Sequence, residues 1–270
     1  VYGVRVSVHQ ASTDRLPFTS YFANVIVADG PVASGHLDAP PADEVARVLR
    51  PFGGLAMIGR AGEVGRGRHG LKPDVLRKWA ETSEGAWHVS TENGLWARFR
   101  REAVAGGGEW TQLYADSAHT ACSGDTLEGP MHILWFGEPG PREMIDRHHR
   151  PMSSLFKNGR LFVPANDLVI AVDPYNGTNL WKLHVPNSRR VGALRNCGHM
   201  LATDDYLYVA VEGECWAVDP VTGARQFILE APQLEKERRD WGYLDMQDDV
   251  LFGTGMRAGA SLRDFSKPTI

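Results

Sequence analysis

Residues 159–181 and 205–227 spell nearly the same pattern twice, 46 positions apart. The first copy reads Gly159-Arg160-Leu161-Phe162-Val163, then Ala171-Val172-Asp173-Pro174, then Asn176-Gly177. The second reads Asp205-Tyr206-Leu207-Tyr208-Val209, then Ala217-Val218-Asp219-Pro220, then Thr222-Gly223. A weaker third start follows at Asp249-Val250-Leu251-Phe252-Gly253. Short apolar strands at a period in the mid-forties fit one propeller blade per repeat. A β-sandwich also spaces strands regularly. The length of the period and the repeated Ala-Val-Asp-Pro favour blades.

The repeat residues have structural explanations. Asp173 and Asp219 are placed to accept backbone N–H groups in the turn that follows. Gly177 and Gly223 supply positive φ there. Each blade is expected as two hairpins, Leu155 to Val163 and Val169 to His184, repeated from Met200 to Glu230.

Before the repeats the periodicity is different. Val4, Val6 and Val8 alternate as a half-buried strand, and Phe22 to Ala28 is a nearly continuous apolar run, as in a buried parallel strand. Pro40-Pro41 opens a helix with Asp43 and Glu44 in its first turn and Val45, Val48 and Leu49 on its apolar face. Leu55 to Ile58 is the next strand. A second helix starts near Pro73, with Val75, Leu76, Trp79 and Ala80 on one face. Asn93-Gly94 turns a hairpin between Ala86–Val89 and Leu95–Phe99. This order predicts an α/β sheet with an antiparallel edge over 1–104. A glycine-rich linker over 105–109 leads to an all-β partial propeller over 110–270.

Net charge is −4 over 270 residues. Residues 1–108 carry 13 Lys/Arg against 11 Asp/Glu, and the remainder is acidic, so neither half has the basic footprint of a nucleic-acid binder. No apolar run is long enough to span a bilayer, and no secretory signal is visible. Cys122, Cys197 and Cys215 form no CxxC pair, and buried free thiols are the expectation.

Two family resemblances follow from these residues. Residues 4–101 resemble the C-terminal part of a class I S-adenosylmethionine-dependent methyltransferase. Leu16-Pro17-Phe18 stands before Tyr21-Phe22 and the strand, Arg47-Val48-Leu49-Arg50-Pro51-Phe52-Gly53-Gly54 follows the first helix, and the closing hairpin fits that family's reversed last strands. The resemblance implies a partial Rossmann-like sheet with S-adenosylmethionine as cofactor. The family's glycine-rich turn and its ribose-binding acidic residue have no counterpart here, so most of that pocket is absent. Ser12 and Thr13, beside the adenine, and Asp29 and Gly30, after the strand, are the positions left to touch it.

Residues from Trp110 onward resemble the quinoprotein-like propellers built of pyrroloquinoline-quinone repeats. Trp110-Thr111-Gln112-Leu113-Tyr114-Ala115-Asp116 matches their lead-in segment and Leu134-Trp135 their inter-blade strand. Fused methyltransferase-like and propeller segments are similar to large planctomycete proteins. A working quinone dehydrogenase of this fold is expected to carry adjacent cysteines, a calcium site and a catalytic carboxylate. Adjacent cysteines are lacking, so no pyrroloquinoline quinone is expected.

Other clusters are weaker. Gly65-Arg66-Gly67-Arg68-His69-Gly70 matches GxGxxG, but the preceding strand ends too early for a dinucleotide turn. Asp146-Arg147-His148-His149-Arg150, His119, Cys122, Cys197 and His199 offer metal-ligand types without zinc spacing. Arg189-Arg190 and Arg238-Arg239 read as solvated turns. The expectation is a propeller-repeat binding or scaffolding protein taking a protein or small-molecule ligand on the propeller surface, with an inactive methyltransferase-like segment. A methyltransferase in the complete gene product is the alternative, and a quinoprotein-type oxidoreductase the remoter one. The compartment is left open between cytoplasm and periplasm.

Overall fold

A computed structural model describes residues 5–12, 14–29, 37–62, 71–140, 142–145, 152–190, 198–234 and 237–260. The chain divides into two compact units. One is Val1–Val104 with His132–Leu134, the other Ala105–Met131 with Trp135–Ile270.

The first unit holds a four-stranded sheet in the order β1-β2-β4-β3. Strand β1 is Val25–Ala28, β2 Leu55–Ala61, β3 His88–Ser90 and β4 Gly94–Arg100. Helix α1, Ala42–Val48, lies between β1 and β2 in sequence, and these strands pair in parallel. Helix α2, Pro73–Ala80, precedes the antiparallel β3–β4 hairpin. Its turn uses Asn93 and Gly94, both at positive φ. Val45 of the first helix, Leu49 at its C-cap and Leu76 of the second helix pack on Ile26, Ala56, Ile58, Leu95, Ala97 and Phe99. Both helices therefore cover one face of the sheet.

Three expectations for this unit are corrected. Val6 and Val8 are exposed and form no strand, and Val4 lies outside the described residues. The Phe22–Ala28 run is not buried on both faces: Phe22, Val25 and Val27 are exposed and only alternate residues face the helices. The reason is that β1 is an edge strand with a single helical layer on one side. Val75 is 41% exposed, off the buried face of α2 that Leu76 and Ala80 define.

The second unit is all β among its described residues. Strands β5 (Leu155–Lys157), β6 (Arg160–Ala165), β7 (Leu168–Val172) and β8 (Asn179–His184) form a four-stranded antiparallel meander. Strands β9 (Met200–Ala202), β10 (Leu207–Val211), β11 (Glu214–Val218) and β12 (Arg225–Glu230) repeat it. A hairpin of β13 (Arg239–Gln247) and β14 (Val250–Arg257) follows. The first strands of successive sheets, β5, β9 and β13, touch one another. Leu155, Phe162, Val169 and Ala171 of the first sheet share one core with Met200, Leu207 and Val209 of the second. These are propeller-type blades stacked face to face.

The repeat works through an outer-strand tryptophan. The Trp181 indole N–H donates to the Pro220 carbonyl (3.2 Å), and its ring lies where a Cβ on Gly223 would stand. Trp135 does the same one blade earlier, donating to the Pro174 carbonyl (2.8 Å) over Gly177. Both glycines have positive φ, 74° and 75°, so two demands select glycine at once. Asp173 accepts from the Tyr175 N–H, and Asp219 from those of Val221 and Thr222. Those turn bonds hold the exposed Asp219 carboxyl below its usual range.

Candidate functional site

Among the described residues a polar network lies along the inner strands of the blades, and a loop ahead of them builds it. Residues 106–126 leave and return at one base, where the Glu109 N–H donates to the Ser123 carbonyl (3.0 Å) and the Thr126 N–H to the Gly106 carbonyl (2.8 Å). From this base one extended stretch reaches three sheets. Trp110 exchanges both backbone bonds with Phe156 of β5, at 3.0 and 2.8 Å. The Thr111 carbonyl accepts from the Ala202 N–H of β9 (2.8 Å). Gln112, 2% exposed, donates from Nε2 to Asp245 Oδ1 of β13 (2.5 Å).

Asp245 is the hub. It is buried and also accepts from the Met246 N–H (2.7 Å) and the Tyr243 hydroxyl (3.2 Å). The Tyr243 oxygen is in turn hydrogen-bonded to His119 Nε2. A phenol has one hydrogen, and Tyr243 spends it on Asp245, so the histidine ring is the donor. An exposed imidazole is thereby connected through a phenol to a buried carboxylate, with Tyr114 against the other side of the ring.

Beside this network a cavity of about 390 Å³ is lined by Thr111, Gln112, Lys157, Tyr208, Met246 and Asp249, together with the Thr203–Tyr206 turn. Lys157 bonds Glu109 (2.7 Å) and Asp204 (3.0 Å). Burial pulls its ammonium pKa down, but the two carboxylates outweigh that and leave it raised. Its ammonium holds the Asp204 carboxyl below the usual range. Burial, with the nearby Cys215 and Asp205, pushes the Tyr208 phenol up.

Arg190 corrects the sequence reading most sharply. It is 2% exposed, and its guanidinium donates to the Gly242 and Trp241 carbonyls of β13 and the Ala210 carbonyl of β10. It ties one sheet to the next, whereas Arg189 and Arg238 are exposed as expected and Arg239 pairs with Glu237. The arginine pair looks solvated in sequence because its acceptors lie 20 to 52 positions away. Burial pushes the nearby Cys215 thiol up to about 12, so it is an inert core group.

Of the positions read as cofactor contacts, Ser12 and Asp29 are described. Ser12 is exposed and its hydroxyl donates to Asp14 (3.1 Å). Asp29 is exposed just beyond β1. Thr13 and Gly30 lie outside the described residues, as do Cys197, the 146–150 cluster and the Gly65–Gly70 loop. Arg47, from the stretch that carries the methyltransferase resemblance, has a clear structural task. It forms a bidentate pair with Glu44 at 2.7 Å and donates to the Phe18 carbonyl (2.9 Å), while the Leu16 N–H donates to Glu44 (2.7 Å). The helix thereby pins the Leu16-Pro17-Phe18 loop. Among the described residues no group of three or more His, Cys, Asp or Glu side chains is placed to hold a metal ion. No helix among them is long and apolar enough to cross a membrane.

His119 was legible as a polar residue, but Gln112, Tyr243 and Asp245 were not. Gln112 and Asp245 meet across 133 positions, and no spacing rule reaches that far.

No family model matches the sequence, and no curated protein matches it. Among solved structures, similarity is found to a europium-containing methanol dehydrogenase (24% identity, 30% of this chain and 15% of that chain, TM-score 0.25). A quinohemoprotein alcohol dehydrogenase, ADHIIG, from Pseudomonas putida HK5 is similar at 19% identity, over 43% of this chain and 18% of that one, with TM-score 0.34. BamB from Moraxella catarrhalis is similar at 19% identity over 39% and 31%, with TM-score 0.30. The chain thus spans less than a third of the length of each. The blades themselves are read from the strand pairing and tryptophan–turn contacts of this chain.

Proposed function

We propose that the chain is a binding module whose ligand surface lies at the cavity between the inner strands of the blades, and that its ligand presents a cationic group. One observation carries the reading. Asp205 and Asp249 line a cavity with Tyr206 and Tyr208, while its lysine is already matched by Glu109 and Asp204. Carboxylates together with tyrosine faces suit an ammonium or guanidinium group. Arginine amide and a short arginine-containing peptide amide, titrated into the full chain by calorimetry, separate a free amine from a peptide ligand. Asp205→Asn with Asp249→Asn is expected to weaken binding about tenfold, in line with two solvent-exposed charge contacts. Equal binding of uncharged N-acetylcitrulline amide, or no heat with either cation, overturns the reading.

A second reading is a methyltransferase in the complete gene product. What supports it is the parallel β1–α1–β2 crossover with Asp29 at the carboxyl end of β1, where ligands of such sheets sit. Ser12, Thr13, Asp29 and Gly30 would then face S-adenosylmethionine, which supplies the methyl group when bound. Calorimetry of S-adenosylmethionine with the chain extended upstream, comparing Asp29→Asn, tests it. Unchanged affinity in that variant rejects the assignment of Asp29.

A further inference from the structure

We infer that the 106–126 loop is a preformed clasp that opens as a unit, removing one wall of the inner-strand cavity. Three sets of observations carry this. The loop is self-contained. Besides its paired base, the Thr111 N–H donates to the Ala115 carbonyl (3.0 Å), the Ala121 N–H to the Tyr114 carbonyl (2.9 Å) and the Thr120 N–H to Asp116 (3.0 Å). A loop whose ends meet and whose backbone bonds lie largely within itself keeps its shape when it moves.

Its attachment is mixed. Besides the paired backbone at Trp110 and Thr111, it is held by Glu109 on Lys157 (2.7 Å), by the Trp110 indole N–H on the Ser153 hydroxyl (3.1 Å), by Gln112 on Asp245 and by His119 on Tyr243, and the Trp110 ring packs on the blade core. His119 and Tyr114 are exposed, so water competes for the distal half of the attachment.

The backbone of the loop is also costly to hold. Tyr114, Ala115, His119 and Ala121 all have positive φ, between 54° and 78°, and none is glycine. Such conformations persist where surrounding contacts over-determine them, and they gather at clamps and switches. Gly106 at the base, with φ 73°, and Gly124 at the return, with φ 72°, supply the free torsions about which the loop would swing. Opening would withdraw Thr111 and Gln112 from the cavity lining and bare the inner edges of β5 and β9. The inference concerns the cavity's wall and stands independently of which ligand the cavity takes.

The charged and titratable groups around the clasp's polar end are Asp116 on the loop itself and Asp245 and Tyr243 on β13.

Amide hydrogen exchange on the full chain, with no ligand present, reads the opening directly. The Phe156 and Ala202 amides donate to loop carbonyls and report closure, whereas Leu207 and Val209 lie in the central strand β10 and report unfolding of the blade. In His119→Ala, a surface change, and in Tyr243→Phe, which removes the hydroxyl shared by His119 and Asp245, exchange at Phe156 and Ala202 should rise about tenfold. Leu207 and Val209 should stay as in the parent. Unchanged exchange at Phe156 and Ala202 in His119→Ala overturns the clasp. So does a rise shared equally with Leu207 and Val209, which would make the loop part of the blade's global fold. Failure of the cation titration leaves these readouts untouched, so the two ideas fall separately.

Discussion

Apolar strands of the two units bury their side chains differently. In the blades, β7 and β10 are buried along nearly their whole length, on both faces: β10 lies between the first blade and the β13–β14 hairpin, and β7 between the second blade and a layer that includes Trp135 and Met144. In the α/β unit, β1 alternates between half-buried and exposed, because helices cover one face and it stands at the sheet's edge. Similar apolar composition therefore gives different burial. A continuous apolar run reports a strand, while the number of layers around it is a property of the neighbours.

The most damaging break in the blade unit should be Arg190→Ala. It strands three buried carbonyls and leaves a cavity, and about 4 kcal/mol of stability should be lost, read as a shift in the urea midpoint. A loss under about 1 kcal/mol would mean that water replaces the guanidinium and that the sheets do not depend on it. Trp181→Ala should cost about 3 kcal/mol in the same transition, whereas Trp181→Phe, which keeps the ring but loses the bond to Pro220, should cost about 1 kcal/mol. Equal losses would assign the contact to the indole N–H alone.

In the α/β unit, Glu44→Gln should cost about 2 kcal/mol at neutral pH, since it removes a bidentate pair and an acceptor for the Leu16 N–H. Arg47 is the main cause that lowers the Glu44 carboxyl, ahead of the opposing effect of burial. A lowered carboxylate pKa stabilises the fold above the unfolded-state value, and that contribution is lost as pH falls through the folded value. The difference between parent and Glu44→Gln should thus be full at neutral pH and shrink below the usual carboxylate range. A difference that stayed constant into acid would show that the loop is held by shape rather than by charge.

The smallest effect tests the contrast itself. Val25→Thr and Val27→Thr, on exposed positions of an edge strand, should change stability by less than about 0.5 kcal/mol. Val209→Thr, an isosteric change in the blade core, should cost about 2 kcal/mol for burying a hydroxyl. A large loss at Val25 or Val27, measured by thermal unfolding, would show that this face is covered in solution.

Much of the fold was legible in local pattern. The Asn93-Gly94 hairpin, the helix after Pro40-Pro41 and the Asp-Pro…Gly turns each follow from residues within a few positions of one another. Even the blade boundaries followed from self-similarity. The buried Arg190, the Glu44–Arg47 grip on the Leu16 loop and the Gln112–Asp245–Tyr243–His119 network were not legible. Each depends on carbonyls or side chains brought close by sheet stacking, and an arginine pair or a lone glutamine carries no local mark of such a partner.

Sequence by itself determined the repeat unit, its turns and the change of periodicity near residue 105, because hydrophobic spacing and positive-φ requirements act over a handful of residues. Tertiary structure decided which apolar runs are covered once and which twice. It also turned a lead-in segment into a loop bonded to three sheets at their inner edges, because burial and long-range hydrogen bonds exist only after distant strands have met.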